Sequence, residues 1–522
     1  MGKRCQKKSF FIFFRAQVDY VLAKKSGKEY NCTIMNKVIE KNVNIDGEAA
    51  VAERERRQFV KMTQTPIPRL IISLGIPTML SMMVTSLYNL ADTAFVSNLG
   101  DPATAAISNL LALMSIIQAV GFTYGMGSGS IVSSLLGKRD REGADKTASS
   151  ALFIAAASGL LMMTVGLIFL TPIMKMFGSR DVQTLGYAKD YALYILIAAP
   201  FMCMSYVLNN VLRAEGKAVL SMVGLIVGAV VNVGLDPILI FAFGMKVAGA
   251  GLATCISQIL SFSVLLFMFL TKKTVVRLRL KAIDRKFGTY WKIISTGFPS
   301  FCRQILASIC TTLLNNIAFE YGDKAAQAAL GVVNKMFMLA FSISLGIGQG
   351  YQPVLGYNYS AKRYDRVRAG YLFTLAFSTG LMILFAGTCA ILAPLIMKAF
   401  SLSTSAREIG ALTLRLQCIS MPLLPLNFMI GLTYQVVGNK ALASVLSISR
   451  QGLFYIPAVL ILPMIWQIFG VESCQMFSDI FAFFFAIPFT VIFFKDLRKK
   501  QANVAKGGEQ VRDEADFQPS VE

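Results

Sequence analysis

The sequence predicts an all-α integral membrane protein with twelve transmembrane helices in two pseudo-symmetric six-helix lobes. Composition predicts the membrane class: 55% of the residues are hydrophobic and 15% are charged, whereas soluble domains average about 25% charged residues. The charges also cluster between apolar stretches of about 20 residues, the length that crosses a bilayer. An internal repeat, described below, predicts the two lobes.

Apolar runs bounded by charged or turn residues define the twelve predicted spans. Those of the first lobe are 67–98, 103–136, 147–174, 183–212, 218–243 and 248–271. Those of the second lobe are 288–320, 324–356, 368–397, 406–437, 441–469 and 473–494. The predicted domains are a basic tail (1–66), the first lobe (67–271), a linker (272–287), the second lobe (288–497) and a C-terminal tail (498–522).

The distribution of positive charge predicts the orientation. Nineteen Lys and Arg residues fall in the even-numbered loops and six in the odd-numbered loops. Because cytoplasmic loops carry the excess of Lys and Arg, the even-numbered loops and both termini are expected in the cytoplasm, and the protein in the plasma (inner) membrane. The same rule accounts for the net charge of +22 without nucleic acid. The expected partner is the lipid bilayer, and we expect a monomer.

The tail at residues 1–66 holds 14 Lys and Arg and 7 Asp and Glu. Its one apolar run, from Phe10 to Phe14, is too short for a signal peptide or a span. Two interpretations remain open. The segment is a disordered basic tail, or the start of translation has been assigned too far upstream and lies nearer Met35 or Met62.

Composition also excludes several kinds of catalysis. The chain has no histidine, which removes Ser-His-Asp and Cys-His catalysis and His-ligated metals. Its nine cysteines form no CxxC pair, so neither a disulfide framework nor a zinc site is predicted. We therefore expect no enzyme activity and no cofactor.

The two halves of the chain resemble each other at a fixed offset. Gly75-Ile76-Pro77 recurs 222 residues later as Gly297-Phe298-Pro299, and Gly216 recurs as Gly438. Glycine and proline fix backbone breaks, so their register indicates shared architecture. Because one repeat holds six spans, both halves enter the membrane from the same side and are related by an axis along the membrane normal. Rocking of the two lobes would then give alternating access to a central cavity.

Some glycines and prolines have a predicted structural role. Pro77, Pro237 and Pro299 are candidate hinges or kinks. The glycine-rich stretches 125–130 and 346–350 superficially resemble phosphate loops, but they lie inside hydrophobic spans. There, small residues permit close helix packing, which is the preferred interpretation.

Acids inside the membrane are candidate functional residues because burying a carboxylate costs several kcal/mol unless it is paired, hydrated or neutralised. Asp92 in the first span and Asp236 in the fifth lie about 9 and 12 Å from the outer ends of their helices, and Thr254 lies about 9 Å deep in the sixth. Asn232 lies one turn from Asp236, and Tyr88 one turn from Asp92. The sequence predicts an ion site in the first lobe.

The coupling ion is left open. Sodium needs several oxygen ligands, which Asp92, Asn232, Asp236 and Thr254 would provide, with a backbone carbonyl freed by Pro237. Alternatively, two neighbouring carboxylates repel each other, so that one of them binds a proton. The charged residues predicted within the second lobe are basic (Arg303, Lys335, Arg415 and Arg450), and two acids, Glu320 and Glu408, are predicted near its outer loops.

Three stretches resemble a known family. They are 90–96 (Leu-Ala-Asp-Thr-Ala-Phe-Val), 212–216 (Leu-Arg-Ala-Glu-Gly) leading into 232–237 (Asn-Val-Gly-Leu-Asp-Pro), and 352–359 (Gln-Pro-Val-Leu-Gly-Tyr-Asn-Tyr). Together they resemble the multidrug and toxic compound extrusion (MATE) family, in particular its bacterial multidrug-efflux members, over residues 65–497. The resemblance implies export of cationic lipophilic drugs, driven by inward Na⁺ or H⁺. It implies cation ligands at Asp92, Asn232, Asp236 and Thr254, with Tyr88 and Tyr191 nearby.

The predicted mechanism is antiport by alternating access. Met202, Met204, Met336 and Phe337 are candidate cavity residues, because flexible thioethers suit varied ligands. One alternative is a lipid or lipid-linked oligosaccharide flippase of the same superfamily, which would be expected to line its cavity with several Arg and Lys. A major-facilitator transporter and a membrane-embedded enzyme or receptor are further alternatives with weaker support.

Overall fold

The computed structural model describes residues 52–97, 99, 101–178, 181–271, 274–400 and 404–506. The chain forms two compact units, residues 1–57 and residues 58–522. In the first unit the described residues, 52–57, are helical, and Arg57 Nε pairs with Glu53 Oε1 at 2.6 Å, one turn away. Most of the predicted basic tail therefore lies outside the described residues. The second unit holds the helical bundle.

The first lobe contains six long helices at the predicted spans. They are α1 (Ile67–Ser97), α2 (Asp101–Gly137), α3 (Arg141–Ile168), α4 (Val182–Ala214), α5 (Ala218–Pro237) and α6 (Lys246–Leu270). A short helix, Leu170–Met176, follows α3, and a π-helical turn, Ile238–Ala242, follows α5. The helices α3 and α4 begin where they do because Asp140 and Asp181 accept hydrogen bonds from the first free backbone N–H groups, as N-cap residues do.

The second lobe opens with a helical hairpin. Helical hydrogen bonding is continuous over Phe287–Ser360, 74 residues, which would be about 110 Å long if straight. However, Ile293 and Gln349 contact the same turn of α2: the Ile293 carbonyl lies against Gly127, and Gln349 Nε2 donates to Met126 Sδ at 3.8 Å. The chain must therefore reverse between them. The limbs are α7 (residues 287–322) and α8 (Ala325–Ser360).

The rest of the second lobe contains four more passes. Helix α9 is Tyr364–Ala399, and α10 spans Thr404–Val437 with a 3₁₀ turn at Met421–Leu423. The chain from Lys440 bends at Gln467, whose φ of 52° and ψ of −129° are not helical. We call residues 440–466 α11 and residues 468–506 α12; α11 contains a π-helical segment, Ser449–Tyr455. These two limbs lie side by side, because Ser478 Oγ donates to the Arg450 carbonyl at 2.6 Å.

These passes confirm the predicted fold class of two six-helix lobes. By length and apolarity, ten segments of the described chain qualify as membrane spans. Two of the passes are not counted separately among them. The segment Lys440–Val504 is one of the ten, although it contains two passes, α11 and α12. The other pass not counted is α7, because only the second limb of the hairpin, Ala325–Ser360, is among the ten.

The repeat predicted from the sequence corresponds to a pair of equivalent contacts between the lobes. A Cβ on Gly350 of α8 would lie 2.5 Å from the Cα of Gly75 in α1, and a Cβ on Gly127 of α2 would lie 3.0 Å from the nitrogen of Gly297 in α7. The members of the two pairs are related by offsets of 222 and 223 residues. Both predicted glycine-rich stretches therefore pack helices closely, because a side chain at Gly127, Gly346 or Gly350 would collide with the other lobe. We call these contacts the glycine seam.

Polar contacts reinforce the seam. Gln352 Nε2 donates to Ser130 Oγ at 2.9 Å, and the hydroxyls of Ser134 and Ser360 lie 2.7 Å apart. The buried guanidinium of Arg213, on α4, donates to Gln349 Oε1 of the other lobe. Such bonds between lobes are favourable in a membrane, where water does not compete for the same groups.

One end of the bundle, which we call the basic face, is formed by residues 137–141, 214–218, 274–286, 360–363 and 437–440. There the linker is fastened to the first lobe: the backbone N–H groups of Val275 and Val276 donate to the buried Glu215 carboxylate at 3.0 and 2.8 Å. Arg277 N donates to Asp145 Oδ1 at 2.8 Å. Residues 274–286 of the linker therefore form a strap across the ends of helices α3 and α4.

The segment 58–66, assigned to the tail from the sequence, packs with the bundle. It is helical over residues 58–64, and Met62 is fully buried. Its backbone carbonyls at Met62 and Thr63 accept hydrogen bonds from Asn358 (3.1 Å) and Arg363 (3.2 Å) of the second lobe. On the other side, Gln58 donates to the carbonyl of Glu215 in the first lobe. This segment thus contacts both lobes at the basic face.

Candidate cation-coupling site

Asp92 lies near the end of α1 that is remote from the basic face. Its side chain is buried, and Oδ2 accepts a hydrogen bond from the hydroxyl of Tyr191 at 3.0 Å. Tyr191 lies on α4 and is itself 1% exposed. A carboxylate in this position is oriented by a neutral donor, so its negative charge is not cancelled by the contact.

Asn232, Asp236 and Thr254 form the other half of the site. Asn232 and Asp236 lie one turn apart on α5 and therefore share a face. Asn232 Nδ2 lies 3.4 Å from Asp236 Oδ1 and 3.3 Å from Thr254 Oγ1, on α6. All three side chains are at least 96% buried. The α-helical pattern ends at Pro237 and continues as the π-helical turn, a local irregularity that is frequent at functional sites.

The two halves meet at Tyr191. Its hydroxyl donates to Asp92 at 3.0 Å and lies near Thr254, and Asp236 is close enough to Asp92 for the two carboxyl groups to interact electrostatically. Tyr88, one turn from Asp92 on α1, also interacts electrostatically with that carboxylate and lies near Gln258. Four helices of one lobe, α1, α4, α5 and α6, therefore contribute to a single buried cluster. We call Asp92, Tyr191, Asn232, Asp236 and Thr254 the coupling cluster.

Three oxygen atoms of this cluster have no hydrogen-bond donor within the described part of the chain. They are Oδ1 of Asp92, Oδ1 of Asn232 and Oδ2 of Asp236, and all three are buried. Buried acceptors without donors are costly, and buried carboxylates more so. An oxygen-preferring cation bound among them, or a proton on one carboxyl, would relieve that cost. The donor set therefore fits Na⁺ and H⁺ alike.

The acid count fits a monovalent ion better than a transition metal. Among the described residues no group of three or more His, Cys, Asp or Glu side chains could hold a metal ion. The cluster contains two carboxyl groups and neutral oxygens, the composition that the sequence predicts.

The other predicted residues lie apart from the coupling cluster. Pro77 and Pro299 are inside α1 and α7, each two residues after a seam glycine. Met202 is 3% exposed and packs in the core of the first lobe, and Met204 is partly buried against that core. Met336 and Phe337 are partly buried against the core of the second lobe. Their assignment to a drug cavity stays a prediction.

Sequence reasoning missed a buried acid in the second lobe. The sequence predicts that the charged residues within the second lobe are basic or peripheral. That prediction is wrong, because the Asp479 side chain is fully buried within α12 and pairs with Arg450 Nε at 2.8 Å. Glu472, near the start of α12, is also buried. Asp479 lies within a predicted span (473–494), so the signal was present, but its partner lies 29 positions away on another helix.

The fold and the buried ionisable cluster define a multi-pass membrane transporter. A family model described as MatE matches residues 77–238 and 299–461, two segments with the spacing of the internal repeat. The chain therefore belongs to the MatE family, and it is a transporter rather than an enzyme.

Curated relatives and solved structures agree with this assignment. The multidrug export protein MepA of Staphylococcus aureus is 26% identical over 423 residues, which cover 79% of this chain and 91% of that protein. MepA of Staphylococcus saprophyticus is 24% identical over 409 residues, 78% and 89% of the two chains. A MATE protein in complex with MaL6 and an outward-facing multidrug resistance MATE transporter each share 25% identity and a TM-score of 0.80. Each covers 84% of this chain, with 99% and 98% of the respective structures matched.

Proposed function

We propose that the protein is a cation-coupled antiporter that exports cationic lipophilic drugs from the cytoplasm while Na⁺ or H⁺ enters through the coupling cluster. The observation that carries this proposal is the set of three buried oxygens without donors on Asp92, Asn232 and Asp236. The acceptors of this site need an ion, and the side chains of the site come from four helices of one lobe. Ion occupancy is therefore linked to the arrangement of that lobe.

The coupling acts through charge and packing. An ion bound between Asp92 and Asp236 neutralises the lobe and draws α1, α5 and α6 together, which lowers the affinity of the cavity for a cationic drug. The effect is reciprocal in free energy, so a bound drug weakens ion binding by the same factor. The lobes rock about the glycine seam. Met204, Met336 and Phe337 are the proposed wall residues, with Met202 behind them.

The basic face is cytoplasmic in this proposal, since Lys and Arg concentrate there. Both termini then lie in the cytoplasm, and the membrane is the bacterial plasma membrane. The described contacts between lobes run along α2 from Gly137 at the basic face to Gln118, whose Oε1 accepts from Gln304 at 3.3 Å. We infer that this state is closed towards the cytoplasm. The coupling cluster, beyond that contact zone, is then nearer the outside, where ions enter.

The names of the relatives support drug export. Both curated relatives are called multidrug export proteins, and one similar structure is of a multidrug resistance transporter. We propose that the chain works as a monomer, because each chain contains both lobes and the complete cluster.

Transport by the purified protein in liposomes tests the proposal. Efflux of a fluorescent lipophilic cation is measured under a Na⁺ gradient, an H⁺ gradient, both and neither. One ion gradient is expected to drive efflux, and Asp236→Asn is expected to abolish it. The matched control is Asp190→Asn, which removes an exposed carboxylate next to Tyr191 in sequence. Equal efflux without either gradient would contradict antiport, and gradient-independent movement of a fluorescent lipid would favour the flippase.

A further inference from the structure

A narrow pocket lies inside the second lobe between α7, α8, α10 and α11. Its volume is about 30 Å³, and the residues that matter here are Arg303, Phe341, Asn427, Phe428, Arg450 and Gln451. The pocket has room for one small chemical group rather than for a whole drug molecule. Nothing in the coupling cluster reaches it, since that cluster belongs to the first lobe.

Arg450 is fixed along one edge of its guanidinium group. Its Nε donates to Asp479 Oδ1 at 2.8 Å. The Asp479 carboxylate also accepts from Gln475 Nε2 at 2.9 Å and from Ser420 Oγ at 3.2 Å, so its acceptor capacity is largely used. Arg450 Nη2 is buried and finds no acceptor among the described residues. Asp479 therefore positions the arginine and leaves one N–H edge to serve another anion.

One further buried donor without an acceptor lines the same pocket, which also contains Gln451 Oε1, a buried acceptor without a donor among the described residues. Asn427 is 6% exposed, and its Nδ2 has no acceptor in the described chain. The Arg303 guanidinium lies 5.3 Å from the ring centre of Phe428, and no described carboxylate is within ion-pair distance of it. Arg450 likewise lies over Phe337 and Phe341, at 5.0 and 5.8 Å. Aromatic faces hold a guanidinium in place but do not accept its in-plane hydrogen bonds.

The pocket adjoins the interface between the lobes. Gln304, the neighbour of Arg303, donates to Gln118 of α2, and Ser342, the neighbour of Phe341, hydrogen-bonds to Ser86 of α1 at 2.7 Å. Arg450 is also the second residue of the π-helical segment Ser449–Tyr455. Such segments are frequent at functional positions. A ligand between the lobes could therefore place one group in this pocket.

We propose that the pocket is an anion-accepting subsite that binds the carboxylate of an amphiphilic aromatic substrate through Arg303, Asn427 and the free edge of Arg450. This inference rests on the proposed export function and adds to it a subsite for the negatively charged group of a substrate. The donor geometry favours a planar carboxylate, which guanidinium groups bind through two parallel hydrogen bonds. A pyrophosphate carrying a lipid is too large for a volume of about 30 Å³.

A pair of dyes tests the subsite. Tetramethylrhodamine carries a carboxylate and a delocalised cation, and its methyl ester is the same molecule without the negative charge. Binding of each to the purified full-length protein in detergent is followed by fluorescence anisotropy, without any ion gradient. Arg303→Gln is expected to weaken binding of the acid about tenfold and of the ester less than twofold, because only the acid loses a charge-assisted hydrogen bond.

Two further variants complete the experiment. Lys335→Gln removes a basic residue that lies over Phe400, outside the pocket, and should leave both dyes unaffected. Asn427→Leu removes a hydrogen-bond donor at similar side-chain volume, so it should weaken binding of the acid but not of the ester. This variant provides the test if Arg303→Gln does not fold. The proposal is overturned if the wild type does not bind the acid, if the acid and the ester lose affinity equally, or if the acid is unaffected. Because no transport is measured, these outcomes are independent of whether the antiport proposal holds.

Discussion

The two lobes treat buried carboxylates in opposite ways. In the first lobe Asp92 and Asp236 face neutral donors, and each retains an oxygen without a donor. In the second lobe Asp479 is bound by Arg450, Gln475 and Ser420. A carboxylate already paired with a protein cation has little to gain from an external ion, whereas an unpaired one requires neutralisation. The comparison supports the proposals that ion exchange belongs to the first lobe and that Asp479 positions Arg450.

The largest expected effect is at Asp236. Asp236→Asn keeps the side-chain volume and removes the charge, so coupled efflux should fall by more than about tenfold while the amount of folded protein stays the same. The measurement is drug efflux from liposomes together with size-exclusion chromatography. Undiminished ion-dependent efflux in this variant would contradict the proposal that ion coupling takes place in the first lobe.

A stability effect should mark the second lobe instead. Asp479→Asn leaves Arg450 buried without its counter-ion and should lower the free energy of unfolding by about 3 kcal/mol. The ion dependence of the remaining transport should be unchanged. The control is Asp496→Asn on the same helix, because Asp496 is half-exposed and pairs with Lys500, a surface contact that contributes about 1 kcal/mol or less.

If a folded Asp479→Asn protein lost its ion dependence, the second lobe would take part in coupling. A double variant, Arg450→Met with Asp479→Leu, should recover much of the stability because it removes both charges at once. Chemical unfolding in mixed detergent compares the three proteins.

The glycine seam should respond to a single methyl group. A Cβ on Gly127 would lie 2.2 Å from the carbonyl oxygen of Ile293, so Gly127→Ala should destabilise this contact between the lobes by about 1–3 kcal/mol. Transport rate and the distance between spin labels on the two lobes are the measurements. Gly380→Ala, where no described atom lies within 4 Å of the new Cβ, should transport normally. Equal behaviour of the two variants would show that the seam has no part in the transport cycle.

The smallest expected effect concerns Tyr191. Tyr191→Phe removes the hydroxyl that orients Asp92 and contacts Thr254, and ion affinity should fall about tenfold, since one hydrogen bond to a charged group is lost. The maximal transport rate at saturating ion concentration should change little. A lower maximal rate with unaltered ion affinity would assign Tyr191 to packing instead.

Much of the fold was predictable because membranes restrict the solutions. The length of the apolar segments predicted the spans, and the repeat of glycine and proline positions at an offset of 222 residues predicted the two lobes. The close contacts at Gly75 and Gly297 are related by the same offset. The positions of Asp92, Asn232, Asp236 and Thr254 were identified as candidates from their depth and helical spacing. Their meeting around one hydroxyl, Tyr191, required the packing of four helices.

Other features depended on tertiary structure alone. Asp479 reads as an isolated acid until α11 and α12 fold together and bring Arg450 to it. Residues 58–66 contain no long apolar run, so local composition favoured a tail. Met62 is nevertheless fully buried, with its side chain against Gly216 and its carbonyl bonded to Asn358, 296 positions away. Long-range pairing of this kind leaves no periodic signal in a single sequence.

The central claim is that Asp92 and Asp236 bind one shared ion, and ion stoichiometry tests it most directly. Equilibrium binding of radioactive Na⁺, together with proton uptake in weak buffer, is measured on the purified wild type, on Asp92→Asn, on Asp236→Asn and on the double variant. The account predicts one ion per wild-type chain and complete loss in either single variant, with no further loss in the double variant. Retention of half or more of the binding in either single variant would mean that the two carboxylates act independently and would contradict the account.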